Sequence, residues 1–267
     1  MTLKQGDCLT ILPTLADQSV DLILCDLPYG TTKCKWDFVI PLDLLWAQYK
    51  RVLKPLGTVV LFADQPFTSL LVCSNLDWFK YELIWKKDRT AGWLLANYRP
   101  MKLTEDIIVF SPGGAAAASI GTGNMVYNPQ GLTTKNIKKQ NSEKRIGRML
   151  NQKHHLGEHN KLLSNQKYEQ KFTGYPAEIL SYGIEKNMVH PTQKPIALMQ
   201  YLVQTYSNFG DVVLDNCMGS GSTGVACKLT GRDFIGIELD PEYFTVAEER
   251  ITAAFQSPPS ANPSLFD

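Results

Sequence analysis

The chain has no apolar run approaching the ~18 residues of a membrane span, and its N-terminus has no signal-like apolar stretch. Membrane spanning and secretion are therefore not expected. The six cysteines (Cys8, Cys25, Cys34, Cys73, Cys217 and Cys227) form no C-x-x-C pair. Several lie inside apolar runs, where Cys behaves as a small hydrophobe, so a reduced cytoplasmic protein is expected rather than a disulfide scaffold. His154, His155 and His159 have helical metal-ligand spacing but no companion acid or cysteine cluster, and no metal site is expected. Net charge is also lacking: the total is +1, which by itself excludes no partner.

What is present describes an ordinary globular chain of 267 residues, 44% hydrophobic and 20% charged, long enough for one large domain with an insertion. Val20–Cys25 is a short β-prone apolar run that ends in Asp26-Leu27-Pro28-Tyr29-Gly30. It reads as a buried strand feeding a stiff loop, since Pro28 fixes its own φ and biases Leu27 towards extended backbone. Residues 40–54 recur at three and four as a helix, stopped by Lys54-Pro55-Leu56-Gly57. Thr58–Phe62, Tyr81–Trp85 and Asp106–Phe110 read as strands and Phe67–Val72 as a short helix, so this half is α/β. Regular structure returns with a helix over Ile196–Tyr206 and strands over Asp211–Asp215 and Arg232–Glu238. A helix over Pro241–Phe255 has Pro at its first turn.

Between Ser111 and about Asn187 periodicity is poor. Residues 133–171 hold ten Lys and Arg against three Glu, a charge of +7, which leaves −6 for the remainder. Positive charge gathered into one insertion of an otherwise acidic chain favours a polyanion partner. Interleaved Asn, Gln, Tyr168, Phe172 and Tyr175 could supply base-edge and stacking contacts.

Gly219-Ser220-Gly221-Ser222-Thr223-Gly224 satisfies G-x-G-x-x-G between a strand and a helix, and Glu238 ends the next strand nineteen residues after Gly219. Taken alone this pattern fits a dinucleotide, and an NAD-linked oxidoreductase is the rival reading. Asp215 at the loop mouth argues against a pyrophosphate and for a cationic cofactor. Lys194, in His190-Pro191-Thr192-Gln193-Lys194-Pro195, could meet a carboxylate. Acids for ribose and amine plus a cation for a carboxylate suit S-adenosylmethionine.

These three segments together resemble the motifs of DNA amino-methyltransferases of the N6-adenine/N4-cytosine family, in the order of its β group. The resemblance covers residues 1–112 and 188–255. It implies an α/β fold: a circularly permuted, doubly wound, Rossmann-like methyltransferase sheet with an irregular basic insertion. The Asp211–Asp215, Glu238, Lys4–Asp7 and Val20–Cys25 strands would be first to fourth. Residues 1–112 would be the catalytic half, 113–187 the target-recognition region, 188–255 the cofactor half and 256–267 a disordered tail.

By the same resemblance Asp7 would approach the cofactor adenine and Glu238 its ribose. Asp215, His190, Thr192, Lys194 and the loop residues Met218, Gly219, Ser220, Gly221 and Thr223 would hold its methionine end, with Asp26 bordering the cofactor. Asp26 and the Leu27 carbonyl would accept the two N–H groups of an exocyclic amine, Pro28 would keep the loop rigid, and Tyr29 would stack on a flipped base. Asp rather than Ser at position 26 favours adenine over cytosine. Leu27 stands where the family has a first proline and Cys217 where it commonly has Phe. The implied partner is duplex DNA. A homodimer, a cognate restriction endonuclease and a bacterial or phage origin also belong to the resemblance. An RNA or protein-glutamine methyltransferase and a non-catalytic DNA-binding module remain as alternatives.

Overall fold

The computed structural model describes residues 1–30, 38–115, 123–140, 167–185 and 193–254. They divide into two compact units, Met1–Asn128 with Ala177 onward, and Pro129–Pro176. The first unit is built on an eight-stranded sheet in the order β1-β10-β9-β2-β3-β5-β4-β8. Its strands are β1 (Thr2–Gln5), β2 (Val20–Asp26), β3 (Leu53–Ala63), β4 (Phe79–Ala91), β5 (Lys102–Phe110), β8 (Ile179–Ser181), β9 (Val212–Asp215) and β10 (Asp233–Glu238). The pairs from β1 to β3 are parallel, β3/β5 and β5/β4 are antiparallel, and β8 joins the β4 edge in parallel.

Strand β2 explains why the sheet is covered on both faces. Leu22 and Leu24 point into one apolar cluster and Ile23 and Cys25 into another, all with no exposure. The first cluster takes the apolar sides of α4 (Ile196–Tyr206), α5 (Ser222–Thr230) and α6 (Pro241–Ala253). The second takes those of α1 (Cys8–Ile11), α2 (Leu42–Val52) and α3 (Phe67–Ser74). Strands β9 and β2 are neighbours yet lead to helices on opposite faces, so a crevice opens at their carboxyl ends, where open α/β sheets place ligands. β1 lies beside β10 in parallel, the place a strand following α6 would take, which is the permuted order expected above.

Three expectations need correction. Lys54–Gly57 does not simply end a helix: β3 starts at Leu53, and the register jumps from Val20↔Leu53 to Leu22↔Thr58, so these residues form a bulge. The insertion is narrower than residues 113–187. Met125 is buried in the core and Asn128 ties to the end of α4 through Nδ2 to the Gln204 and Ser207 carbonyls, while β8 belongs to the main sheet. Nor is it wholly irregular, because β6 (Thr133–Gln140) and β7 (Lys167–Thr173) form an antiparallel pair. The three histidines and the 256–267 tail lie outside the described residues, as does Cys34. No helix among the described residues is long and apolar enough to cross a membrane.

Candidate active site

The crevice is a cavity of about 650 Å³ at the carboxyl ends of β1, β10, β9 and β2. Its wall holds Asp7, Asp26, Leu27, Pro28, Tyr29, Lys194, Asp215, Met218, Gly219, Ser220, Thr223 and Glu238. Two loops more than 180 residues apart in sequence thus face one space. His190 and Thr192 lie outside the described residues, and Gly221 is set back from the wall.

One end is built by the glycine loop. Gly219 has φ +49° and Gly221 φ +78°, left-handed backbone that an L side chain adopts at a cost. The Gly219 N–H donates to Glu238 Oε2 (2.8 Å), and the Asp240 N–H to Oε1 (2.8 Å). Burial raises the Glu238 pKa and these amides oppose the rise. Gly224 serves packing instead: a Cβ there would lie 2.4 Å from Ile251 Cδ1 and 2.7 Å from Phe234 Cε1. Gly221 is similar, with Ala247 Cβ 2.9 Å from such an atom. Met218 packs its sulfur on Gly236, and Arg250 of α6 donates to the Ser220 carbonyl and hydroxyl, fixing the loop from behind.

Asp215 is buried, accepting from the Cys217 N–H (3.1 Å) and the Thr223 hydroxyl (2.5 Å). Burial outweighs both bonds and pushes its pKa up to about 7. Ser222 Oγ is buried at the same wall with no hydrogen-bond partner among the described residues. Asp7 caps α1, accepting from the Leu9 and Thr10 N–H groups, with its carboxylate exposed at the rim.

Beside the glycine loop, the β2 end of the wall carries a buried charge network. Asp26 Oδ2 meets Lys194 Nζ at 2.8 Å, and Lys194 also meets Glu105 Oε1 at 2.6 Å. Lys87 Nζ pairs with Glu105 Oε2 at 2.8 Å. The Tyr29 hydroxyl donates towards Asp26 Oδ1 (2.6 Å) and Glu105 Oε1 (3.0 Å). Its ring stacks on Phe67 of α3, centroids 5.4 Å apart. Burial raises the Asp26 pKa, with Lys194 opposing and the Glu105 charge adding to the rise. At Glu105 burial is overcome by Lys194 and Lys87, which hold it at about 2. Lys194 stays charged, cradled between the acids and 4.8 Å from the Phe62 ring centroid.

This arrangement changes the reading of Lys194. Expected to meet a cofactor carboxylate, it is 7% exposed and already paired with two protein acids, because its backbone enters α4 beneath the β2 loop. Leu27 is buried in the second apolar cluster, so packing anchors the turn where a first proline is missing. Cys217 lines the cavity partly exposed, with Asn216 Nδ2 donating to its sulfur at 3.4 Å. Glu105, Lys87 and Ser222 were not foreseen. A signal existed for one of them: Glu105 shares strand parity with the buried Ile107 and Val109, which puts an acid on a core-facing row.

The chain is 28% identical over 265 residues to the DNA adenine methyltransferase YhdJ of Escherichia coli K12, covering 95% of this chain and 83% of that protein. It is also 28% identical over 263 residues to the type II methyltransferase M.HpaI of Haemophilus parainfluenzae, covering 94% and 74%. Among solved structures, the M1.HpyAVI–SAM complex superposes with a TM-score of 0.59 at 26% identity, over 93% of this chain and 98% of that one. The cytosine-N4-specific PvuII DNA methyltransferase shares the fold, with a TM-score of 0.62 at 16% identity over 98% and 87% of the two chains. The model of the N6/N4 methyltransferases, described as DNA methylase, matches residues 20–249. With that match spanning both halves of the cavity, the chain belongs to the N6-adenine/N4-cytosine family of DNA methyltransferases.

Proposed function

We propose that this protein methylates the exocyclic N6 amine of an adenine turned out of duplex DNA, using S-adenosylmethionine. The observation that carries the reading is the shared cavity. Asp26 of the Asp-Leu-Pro-Tyr loop and the acids Asp215 and Glu238 line the same space, Asp26 and Asp215 from the ends of neighbouring strands.

The residues fit the cofactor. A space of about 650 Å³ lies within the range of small-molecule sites. Asp7 and Glu238 would take the nucleoside hydroxyls and base, and Asp215 the ammonium. Glu238 keeps acceptor capacity, since the two oxygens of a carboxylate offer about four lone-pair sites and the backbone N–H groups do not fill them. Ser222 Oγ lacks a partner among the described residues and would gain one there. His190 and Thr192 remain proposed contacts from the sequence alone. S-adenosylmethionine, when bound, supplies the electrophilic methyl group.

The chain's own contribution is orientation. An aromatic amine is a weak nucleophile because its lone pair is conjugated with the ring. Asp26 would accept one N–H and the Leu27 carbonyl the other, which favours a pyramidal nitrogen. Asp26 can do this only if ionised and held still. Lys194 and Tyr29 hold its two oxygens, and Glu105 in turn holds Lys194 and Tyr29. Pro28 and the buried Leu27 side chain keep the loop from yielding. Tyr29 presents its ring to the target base at the cavity wall, backed by Phe67.

Asp at position 26 and the likeness to an enzyme named DNA adenine methyltransferase support adenine over cytosine. The basic residues of 133–171 support duplex DNA as the partner of the Pro129–Pro176 unit. A cognate restriction endonuclease fits the likeness to type II methyltransferases. The test is to incubate the protein with mixed-sequence DNA and labelled S-adenosylmethionine, digest to nucleosides and identify the labelled base. N6-methyladenine is expected. Label on cytosine N4, or none, would reject the proposal.

A further inference from the structure

Strands β4 and β5 are joined by a turn that carries large side chains into solvent. Trp93 is 78% exposed, Leu94 90% and Tyr98 87%, with Leu95 and Met101 also exposed. A single exposed apolar residue is ordinary, whereas several in ten residues mark a contact surface. The turn is not loose chain. Leu95 N–H donates to the Gly92 carbonyl, Ala96 to Trp93, and both Tyr98 and Arg99 to Leu95. The side chains are thus presented from a backbone that is already formed.

The position and charge of this turn say what it meets. The residues flanking it, Arg89, Thr90, Ala91 and Lys102, line the cavity that also holds Asp26. Residues 86–102 contain five Lys and Arg and one Asp, a local charge of +4, with Lys87 and Lys102 paired to Glu105 and Asp64. Aromatic and aliphatic side chains set among cations beside the cavity that holds Asp26 match a nucleic-acid duplex better than an apolar protein face.

We propose that the Trp93–Tyr98 turn is a DNA wedge. Trp93 and Leu94 enter the base stack beside the target pair and occupy space the extruded base leaves, while Arg89 and Arg99 meet the flanking phosphates. This rests on the flipped-adenine reading above. Filling the gap lowers the cost of unpairing, so the wedge should matter for paired targets and little for targets already unpaired.

The experiment compares wild type with Trp93→Ala and with Trp93→Ala/Leu94→Ser, after the methylated motif has been mapped on cellular DNA. Both side chains are largely exposed, so melting temperatures should match wild type. On a duplex oligonucleotide with the motif, kcat/KM is expected to fall about tenfold or more. On the same duplex with an abasic site opposite the target, the loss should shrink to about threefold or less. Equal losses on both substrates would overturn the wedge. A second arm needs no methylation: the emission of Trp93, taken as wild type minus Trp93→Phe, should be quenched by saturating plasmid DNA. Unchanged emission would overturn the proposal. So would a Trp93 already shielded without DNA whose removal converts a dimer to a monomer, because the turn would then serve a second copy of the chain. Absence of any methylated motif would reject the flipped-adenine reading, leaving the fluorescence arm to decide on the wedge.

Discussion

Replacing Glu105 with Gln tests how the buried charges hold Asp26. Glu105 accepts from Lys194 at 2.6 Å and Lys87 at 2.8 Å, and lies 3.0 Å from the Tyr29 hydroxyl, whose single hydrogen it shares with Asp26. Gln keeps the shape and one acceptor, but its NH2 group faces an ammonium that cannot accept. Lys87 has 22% of its side chain exposed and can turn to water, whereas Lys194 at 7% cannot and keeps Asp26. The expected loss is therefore one charge-assisted bond and part of another, ~2–4 kcal/mol of stability at neutral pH. Linkage agrees, since the gap between an ordinary 4.5 and about 2 corresponds to ~3 kcal/mol. Because the folded pKa is depressed, that contribution is complete above pH 4.5 and is lost as pH falls towards 2. Denaturant unfolding at pH 7.5 and pH 3.5 should show the difference between variant and wild type narrowing by about 1 kcal/mol in acid. Methylation kinetics give the second readout. Misplacing Asp26 should lower kcat by about ten- to a hundredfold. Removing the Glu105 charge also lowers the Asp26 pKa, so the acid limb of the pH–rate profile should move to lower pH. A variant that loses stability but keeps both kcat and that limb would refute the positioning role.

Asp26→Ala should abolish methylation while leaving S-adenosylmethionine binding within about threefold, as calorimetry would report; full activity would sink the mechanism. S-adenosylmethionine affinity should rise with pH through about 7, because a cationic ligand needs Asp215 ionised. A dissociation constant flat between pH 6 and 8 would contradict that assignment. Asp215→Asn should stabilise the ligand-free protein by ~2–4 kcal/mol at pH 8, since a raised folded pKa makes ionisation costly there, and the gain should fade as pH drops below 7. The same variant should bind the cofactor at least tenfold more weakly by titration. Replacing Pro129–Pro176 with a short linker should remove DNA affinity but leave the melting temperature within a few degrees, because the core residues lie in the other unit. Undiminished affinity in a gel-shift assay would clear that segment of a DNA role.

The sheet was legible because its central strands are apolar on both faces. Val20–Cys25 and Thr58–Phe62 admit little but buried parallel strands, and the acid or loop that ends each marks a carboxyl edge. Helix Ile196–Tyr206 was readable to the residue from its periodicity and the Pro195 before it. Strands β6 and β7 were not, because Thr133–Gln140 and Lys167–Thr173 lack an apolar alternation and pair mainly through backbone. The charge network was hidden for a different reason. Lys194 and Glu105 are 89 residues apart and meet only after α4 packs on the sheet, so the sequence pattern shows the charges but not their partners. A lysine beside a cofactor loop invites a ligand role, whereas its pairing with two buried acids is set by tertiary packing.

Asp26, Asp215 and Glu238 would act together in one cavity to move a methyl group to adenine N6. Mass spectrometry of nucleosides from DNA treated with the purified protein and deuterated-methyl S-adenosylmethionine tests it most directly. Deuterated N6-methyladenine is expected with wild type and none with Asp26→Ala. Deuterated N4-methylcytosine, or equal adenine labelling by both proteins, would contradict it.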